Sequence, residues 1–291
     1  MQNAHWASLK PPTKEKAMAD ITVRYLTFDL EDSKPVDAEV IPGEVEMSYL
    51  MVGLSMILPY LEPYLVRESI AAQKLMDDPK LLHDMRQFSR QESQHYHQHA
   101  LFNERIRQKY PQLESLEKKV KQDYERFARR GMRFNAAFAE GFESLTHPFV
   151  IFMWNSGMIR DMRGPLADMY AWHFLEEMEH RTVAYDAYYH LFGGYWYRFW
   201  VSLVAQSHLL LFMFACAKLM LRQERGEFQA RGGWPGRLSR ACKWTRLAGQ
   251  YLLPQLWKTY LPGYNPRNLI VPDAVANLAE HYNARAYKLA T

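Results

Sequence analysis

Residues 172–186 read WHFLEEMEHRTVAYD, and residues 88–103 read FSRQESQHYHQHALFN. Each stretch places a Glu three residues ahead of a His: Glu177 and His180 in the first, Glu92 and His95 in the second. On an α-helix, positions i and i+3 share a face, so each pair aims one carboxylate and one imidazole at the same point. His173, four residues before Glu177, adds a third imidazole to that face. Two such motifs, with one further Glu from each of two other helices, build the di-metal site of ferritin-like four-helix bundles. The competing reading is a pair of solvated acidic faces. Against it stand the apolar and aromatic neighbours Phe88, Phe138, Phe142, Trp172 and Phe174. In such surroundings, four carboxylates are costly without cations to balance them.

Working outward, helix signals are many and strand signals few. Pro42-Gly43 precedes an apolar stretch, Glu44 to Met76, which Pro59 and Pro63 should break or kink near Glu62. Asp78-Pro79 supplies an N-cap and a first-turn proline for a helix ending at Tyr110-Pro111. Leu113–Arg130 and Phe134–Asn155 follow, split by Gly131. Gly164-Pro165 opens a helix predicted to run to about Leu191, before Gly193-Gly194. Residues 200–221 are largely apolar, and a last helix is expected from Asp273 to Leu289. Ile21–Leu30 reads as extended. The expectation is an all-α protein: an N-terminal arm over 1–40, a ferritin-like four-helix bundle over 41–195, and a helical C-terminal extension over 196–291.

The four-helix scheme needs a Glu from the first helix and one from the third. Glu62 is the candidate on the first, in competition with Glu44, Glu46 and Glu68. Glu143 is the candidate on the third, in competition with Glu140. Glu176 and Glu179 should face outward. Three residues are candidates for catalytic support. His99, seven residues after Glu92, is either a donor behind a ligand or a core histidine. Thr146 is placed to hydrogen-bond oxygen at the metals, or else its own helix backbone. Asp186 could orient a ligand histidine through its second ring nitrogen, or else lie on the surface. His147 reads as a packing residue, and His83, His97 and His190 need no special role.

The 291 residues carry 36 Lys plus Arg against 32 Asp plus Glu, a formal charge of +4 that gives no argument for nucleic acid. Two cysteines make neither a disulfide framework nor a four-Cys zinc site. With no apolar run near the N-terminus, they suit a cytoplasmic protein. The apolar 200–221 helix reads as a buried core helix or as one on a membrane. Arg231, Arg237, Arg240, Lys243 and Arg246, interleaved with Trp234 and Trp244, suit contact of residues 200–246 with an anionic membrane surface, and a solvated basic face explains the same residues. Nucleotide-binding glycine loops and a nucleophile elbow are absent from the sequence.

At these residues the chain resembles a bacterial family of predicted metal-dependent hydrolases. The resemblance rests on LPYLEPYL (58–65), DPKL (78–81), F-x-x-Q-E-x-x-H-x-x-x-H-x-x-x-N (88–103), FESLT (142–146), W-H-x-x-E-E-x-E-H-x-x-V-A-Y-D (172–186) and YLPGYNP (260–266). It departs from the family pattern at Leu61, where a Gly is usual, and at Ser144, where a His is lost. More distantly, the set is similar to that of di-iron arylamine N-oxygenases. That similarity implies a ligand set of Glu62, Glu92, His95, Glu143, His173, Glu177 and His180, and two iron ions, with manganese or zinc as alternatives. The function expected on these grounds is O2 activation to oxidise a small apolar or aromatic substrate, which needs an electron donor that no motif identifies. The alternatives are hydrolysis by a di-metal-activated water and non-catalytic metal or membrane binding. A homodimer is also expected.

Overall fold

The computed structural model describes residues 21–28, 37–271 and 273–286, and among them no strand occurs. The rest of the N-terminal arm and the chain beyond 286 lie outside the described residues. The helices are α1 (Val45–Gln73), α2 (Pro79–Lys109), α3 (Glu114–Ala128), α4 (Met132–Asn155), the single turn α5 (Met158–Asp161), α6 (Pro165–His180), α7 (Val183–Leu191), α8 (Tyr195–Gln223), α9 (Gly233–Leu247), α10 (Leu253–Thr259) and α11 (Asp273–Arg285). A π-helical turn, Ala248–Leu252, joins α9 to α10. The described part of the expected extended stretch, residues 21–28, is irregular, with Leu26 and Phe28 buried.

The punctuation at α2 acts as its residues dictate. The Asp78 side chain accepts from the backbone N–H groups of Lys80 and Leu81 at 2.8 and 3.0 Å, and Pro79 takes a position where no N–H is needed. Two expectations are revised. Of the break or kink expected at Pro59 and Pro63, the break does not occur: α1 runs from Val45 to Gln73 without interruption. Pro59 has no N–H for the Ser55 carbonyl four residues back. The Asn103 side-chain amide donates to that carbonyl instead, at 2.7 Å, so the lost helical bond is replaced from α2. The helix expected over 165–191 is two helices, α6 and α7, separated at Arg181-Thr182. The Arg181 guanidinium donates to Met178 O at this break, satisfying a carbonyl at the helix end.

Helices α1, α2, α4 and α6 surround one interior, and α7 continues against α2 and α4. Helix α8 packs along α1 and α4, so the chain after residue 195 shares the core with what precedes it. Two glycines permit that approach. A Cβ at Gly141 would lie 2.5 Å from Ser202 Cα, and one at Gly53 would lie 3.0 Å from the Met213 backbone. Helices α1 and α8 are both long and apolar enough to cross a membrane, but most of α1 is buried within the protein, whereas less than half of α8 is.

Candidate metal centre

Glu62 on α1, Glu92 and His95 on α2, Glu143 on α4, and His173, Glu177 and His180 on α6 are all buried and meet in the interior. Glu177 lies between the imidazoles. Its Oε1 is 2.8 Å from His173 Nε2 and 3.9 Å from His95 Nδ1, and its Oε2 is 3.3 Å from His180 Nε2. His173 Nε2 also faces Glu62 at 3.7 Å. His180 Nε2 faces Glu92 at 3.2 Å and Glu143 at 3.6 Å. Three groups have donor atoms close enough to share a metal ion: Glu62, His95 and His173; Glu92, His95 and Glu177; Glu92, Glu143 and His180.

The competing glutamates are accounted for elsewhere. Glu140 pairs with Arg198 at 2.7 Å, Glu46 with Arg240, Glu44 with Lys243, and Glu68 accepts from Asn135. Glu62 and Glu143 face no Lys or Arg, only the imidazoles of His173 and His180.

Outside the cluster, hydrogen bonds fix how each imidazole points. Asn103 donates Nδ2–H to the Ser55 carbonyl, which can only accept, so its Oδ1 faces Ser55 Oγ. Ser55 Oγ–H therefore donates to Asn103, and Ser55 Oγ accepts from His99 Nδ1–H at 2.8 Å. His99 Nε2 is then an acceptor, and His173 Nδ1–H donates to it at 2.9 Å. The relay fixes a proton on His173 Nδ1 and turns Nε2 toward the carboxylates, where it donates to Glu177 in the metal-free chain and offers its lone pair when a cation takes that proton's place. On the other side, Gln91 Nε2 donates to Thr22 O and to Glu179, so Gln91 Oε1 accepts from His180 Nδ1–H at 2.9 Å. Glu176 Oε2, 3.1 Å from His95 Nε2, accepts there when ionised and leaves His95 Nδ1 aimed inward. Each of the three imidazoles thus spends one nitrogen on an outer partner and turns the other toward the carboxylates, as metal-binding histidines do.

Burial and the neighbouring Glu92, Glu177 and Glu143 push the Glu62 carboxyl well above its usual range. Burial and Glu177 do the same to Glu92, and push Glu143 up to about 7. Burial also pushes Glu177 up, but His180 and His173 outweigh it and hold this carboxyl well below the usual range. His95 is held neutral, first by burial and then by His173. Neither oxygen of Glu62, Glu92 or Glu143 accepts a hydrogen bond, and His95 Nδ1 has no partner. Buried polar atoms left unpaired in this way cost free energy unless a cation meets them. The residues therefore fit a metal centre.

Of the outer partners the sequence offered His99, which lies behind His173, and missed the others. Glu176 and Glu179, expected to face outward, have almost fully buried side chains, paired with Arg24 at 3.2 and 2.6 Å. The Trp172 indole N–H also donates to Glu176 at 2.9 Å. Nothing local marks Arg24, but Gln91 stands beside Glu92 in the quoted motif and was the available signal. Asp186 does not orient a site histidine. It pairs with Arg267, and Gln91 takes the place expected for it behind His180. Thr146 donates to Glu143 O at 2.8 Å, the helix-backbone bond, which leaves its oxygen lone pairs free. His147 packs with its Nε2 against Ile270 O.

Thr146, His173 and Glu177 also line a cavity of about 110 Å³ whose remaining walls are apolar, among them Leu54, Leu145, Leu209 and Met213. The centre thus has an apolar chamber against it.

A family model described as predicted metal-dependent hydrolase matches residues 22–269. Searches of curated proteins and of solved structures found no match.

Proposed function

The chain belongs to the family of predicted metal-dependent hydrolases, and from that premise we propose that it is a dinuclear metalloenzyme hydrolysing a small apolar or aromatic substrate. The observation that carries the metal centre is the convergence of three imidazole nitrogens on buried carboxylates without hydrogen bonds. Glu62 and His173 would hold one ion, Glu92, Glu143 and His180 the other, with His95 at the first. Glu177, whose two oxygens face different imidazoles, would be shared. Carboxylate with imidazole suits iron, manganese or zinc ahead of calcium or magnesium.

When bound, such ions supply Lewis acidity that makes water a nucleophile near neutral pH. The chain's own part is positional. The cavity seats the apolar portion of the substrate against His173 and Glu177. Thr146, its proton committed to the Glu143 carbonyl, offers only an acceptor to a water or substrate hydroxyl. Outer bonds from His99, Gln91 and Glu176 hold the imidazoles while a substrate enters.

One observation favours a second reading, oxygenation: the cavity beside the centre is almost wholly apolar, an environment suited to O2 and poor in water. The experiment is metal analysis of the purified chain, followed by turnover of apolar and aromatic esters with and without O2. Two ions per chain and hydrolysis that is indifferent to O2 are expected. Turnover only with O2 and a reductant transfers the conclusion to oxygenation, and absence of stoichiometric transition metal removes the centre altogether.

A further inference from the structure

Helix α8 turns two different faces to its surroundings. Val201, Ala205, Leu209, Met213 and Cys216 are buried against the bundle. The Gln206 side chain donates to Gly141 O at 2.9 Å. On the other side, Trp196, Trp200, Val204, Leu211 and Phe214 form one exposed line at helical spacing, with Leu211 70% and Trp200 62% exposed. The same line ends in exposed Lys218 and Arg222. A groove between α8 and α9 carries Phe214 and Lys218 on one wall, and Trp234 and Arg237 on the other. Trp257 and Leu253 on α10 are exposed as well. So large an apolar face is unusual against water alone.

Its charge leans positive, although Glu46 and Glu224 also line the groove, each paired with an arginine. No Asp or Glu stands between Phe228 and Pro272, against seven Lys and Arg. The acids of other segments neutralise some of these, as Glu46 does Arg240 and Asp186 does Arg267. Among the described residues, Lys218, Arg222, Arg225 and Arg246 have no such partner. Tryptophans and cations around an apolar stripe are the composition of a helix lying in the surface of an anionic bilayer. A second copy of the chain would set these cations against each other. Because α8 is clamped to α1 and α4 by its inner face, it would meet a bilayer side-on rather than cross it.

The cavity beside the metal centre reaches this face. Leu210, 43% exposed, lines it together with Leu252 and Leu256, while His173 and Glu177 lie on its walls within. We propose that the α8–α10 face docks on an anionic phospholipid surface and that the cavity takes its apolar substrate from that bilayer. The second half rests on the metalloenzyme reading above. The first half stands without it.

The test uses the full-length, metal-loaded protein with vesicles of phosphatidylcholine alone and of phosphatidylcholine containing roughly 30 mol% phosphatidylserine. Co-sedimentation with the anionic vesicles, weakened by salt, is expected. Paired substitutions, Leu211→Ser with Phe214→Ser and Lys218→Glu with Arg222→Glu, should each cut that partition about tenfold or more. Metal content and unfolding temperature should stay unchanged, showing that the variants fold. Partition absent from anionic vesicles, or equal in the variants, overturns the proposal. So does a dimer that Leu211→Ser with Phe214→Ser splits, since the face would then be a self-contact. Leu210→Trp, at the cavity mouth, should lower turnover of a vesicle-dissolved ester about tenfold with vesicle partition intact, and unchanged turnover overturns the route. Failure of turnover in the unsubstituted protein, with partition preserved, counts against the metalloenzyme reading alone.

Discussion

Glu140 and Glu143 stand three residues apart on α4, both buried, and they meet opposite company. Glu140 lies 2.7 Å from Arg198, which also donates to Thr259 O at 2.8 Å. Burial lifts the Glu140 carboxyl and Arg198 works against it, but the guanidinium cannot lose its proton, so the pair supplies its own cation. Glu143 meets Glu92, Glu177 and the His180 imidazole. One carboxylate is balanced within the protein. The other sits in a group of four with no Lys or Arg among them. A buried carboxyl by itself is therefore no sign of a site, whereas several crowded together, with only imidazole nitrogens turned toward them, are.

Substitution on each side of this comparison should separate the two. The largest effect is expected inside the cluster: Glu92→Ala or Glu177→Ala should abolish stoichiometric metal binding, while Glu140→Gln keeps it, as read by elemental analysis. Equal metal content in Glu177→Ala and Glu140→Gln would erase the distinction. Next, Arg198→Met strands Glu140 and should cost about 3–5 kcal/mol in denaturant unfolding, with metal per folded chain unchanged. A cost under about 1 kcal/mol would show that Glu140 does not depend on its partner. Smaller again, Gln91→Leu frees the ring of His180 and should weaken metal affinity about 10- to 100-fold, or roughly 1.4–2.8 kcal/mol.

Protons give a subtler measure. Carboxyls raised by burial and by like charge hold protons in the native metal-free chain that the unfolded chain has already lost. Their contribution to stability is therefore present at low pH and is lost as pH rises through the raised values, Glu143 at about 7. Metal should displace these protons, so calorimetric titration at pH 7 in buffers of different ionisation enthalpy should register their release. Identical heats in all buffers would contradict this. The smallest effect belongs to the surface: Leu211→Ser should change unfolding free energy by no more than about 0.5 kcal/mol, because that side chain already faces outward.

The legibility of the fold followed the range of the forces. Asp78-Pro79 and Tyr110-Pro111 bounded α2 because caps and prolines act within a turn. The absence of a break at Pro59 was not legible, because the repair at Ser55 comes from Asn103 on another helix. The residues brought together at the centre were visible because helical spacing and a family likeness both bear on them. Of their outer partners, His99 was in view and the rest were hidden. Arg24 is far from Glu176 and Glu179 in sequence, and nothing in a solvated-looking E-E-x-E announces that a guanidinium will cover it.

Gly53 and Gly141 carry a consequence for how the cavity can change. Each sits one residue before a cavity-lining side chain, Leu54 and Phe142, at the points where α8 touches α1 and α4 backbone to backbone. The spacing of that wall is thus fixed by main chain, which has no smaller form to retreat to. Substitutions along α8 can lengthen or shorten the chamber but cannot move the wall closer, and a single added methyl at either glycine would pry it outward. Selectivity in such a chamber would be set by the reach of individual side chains, as the wards of a lock are cut into a barrel of constant bore.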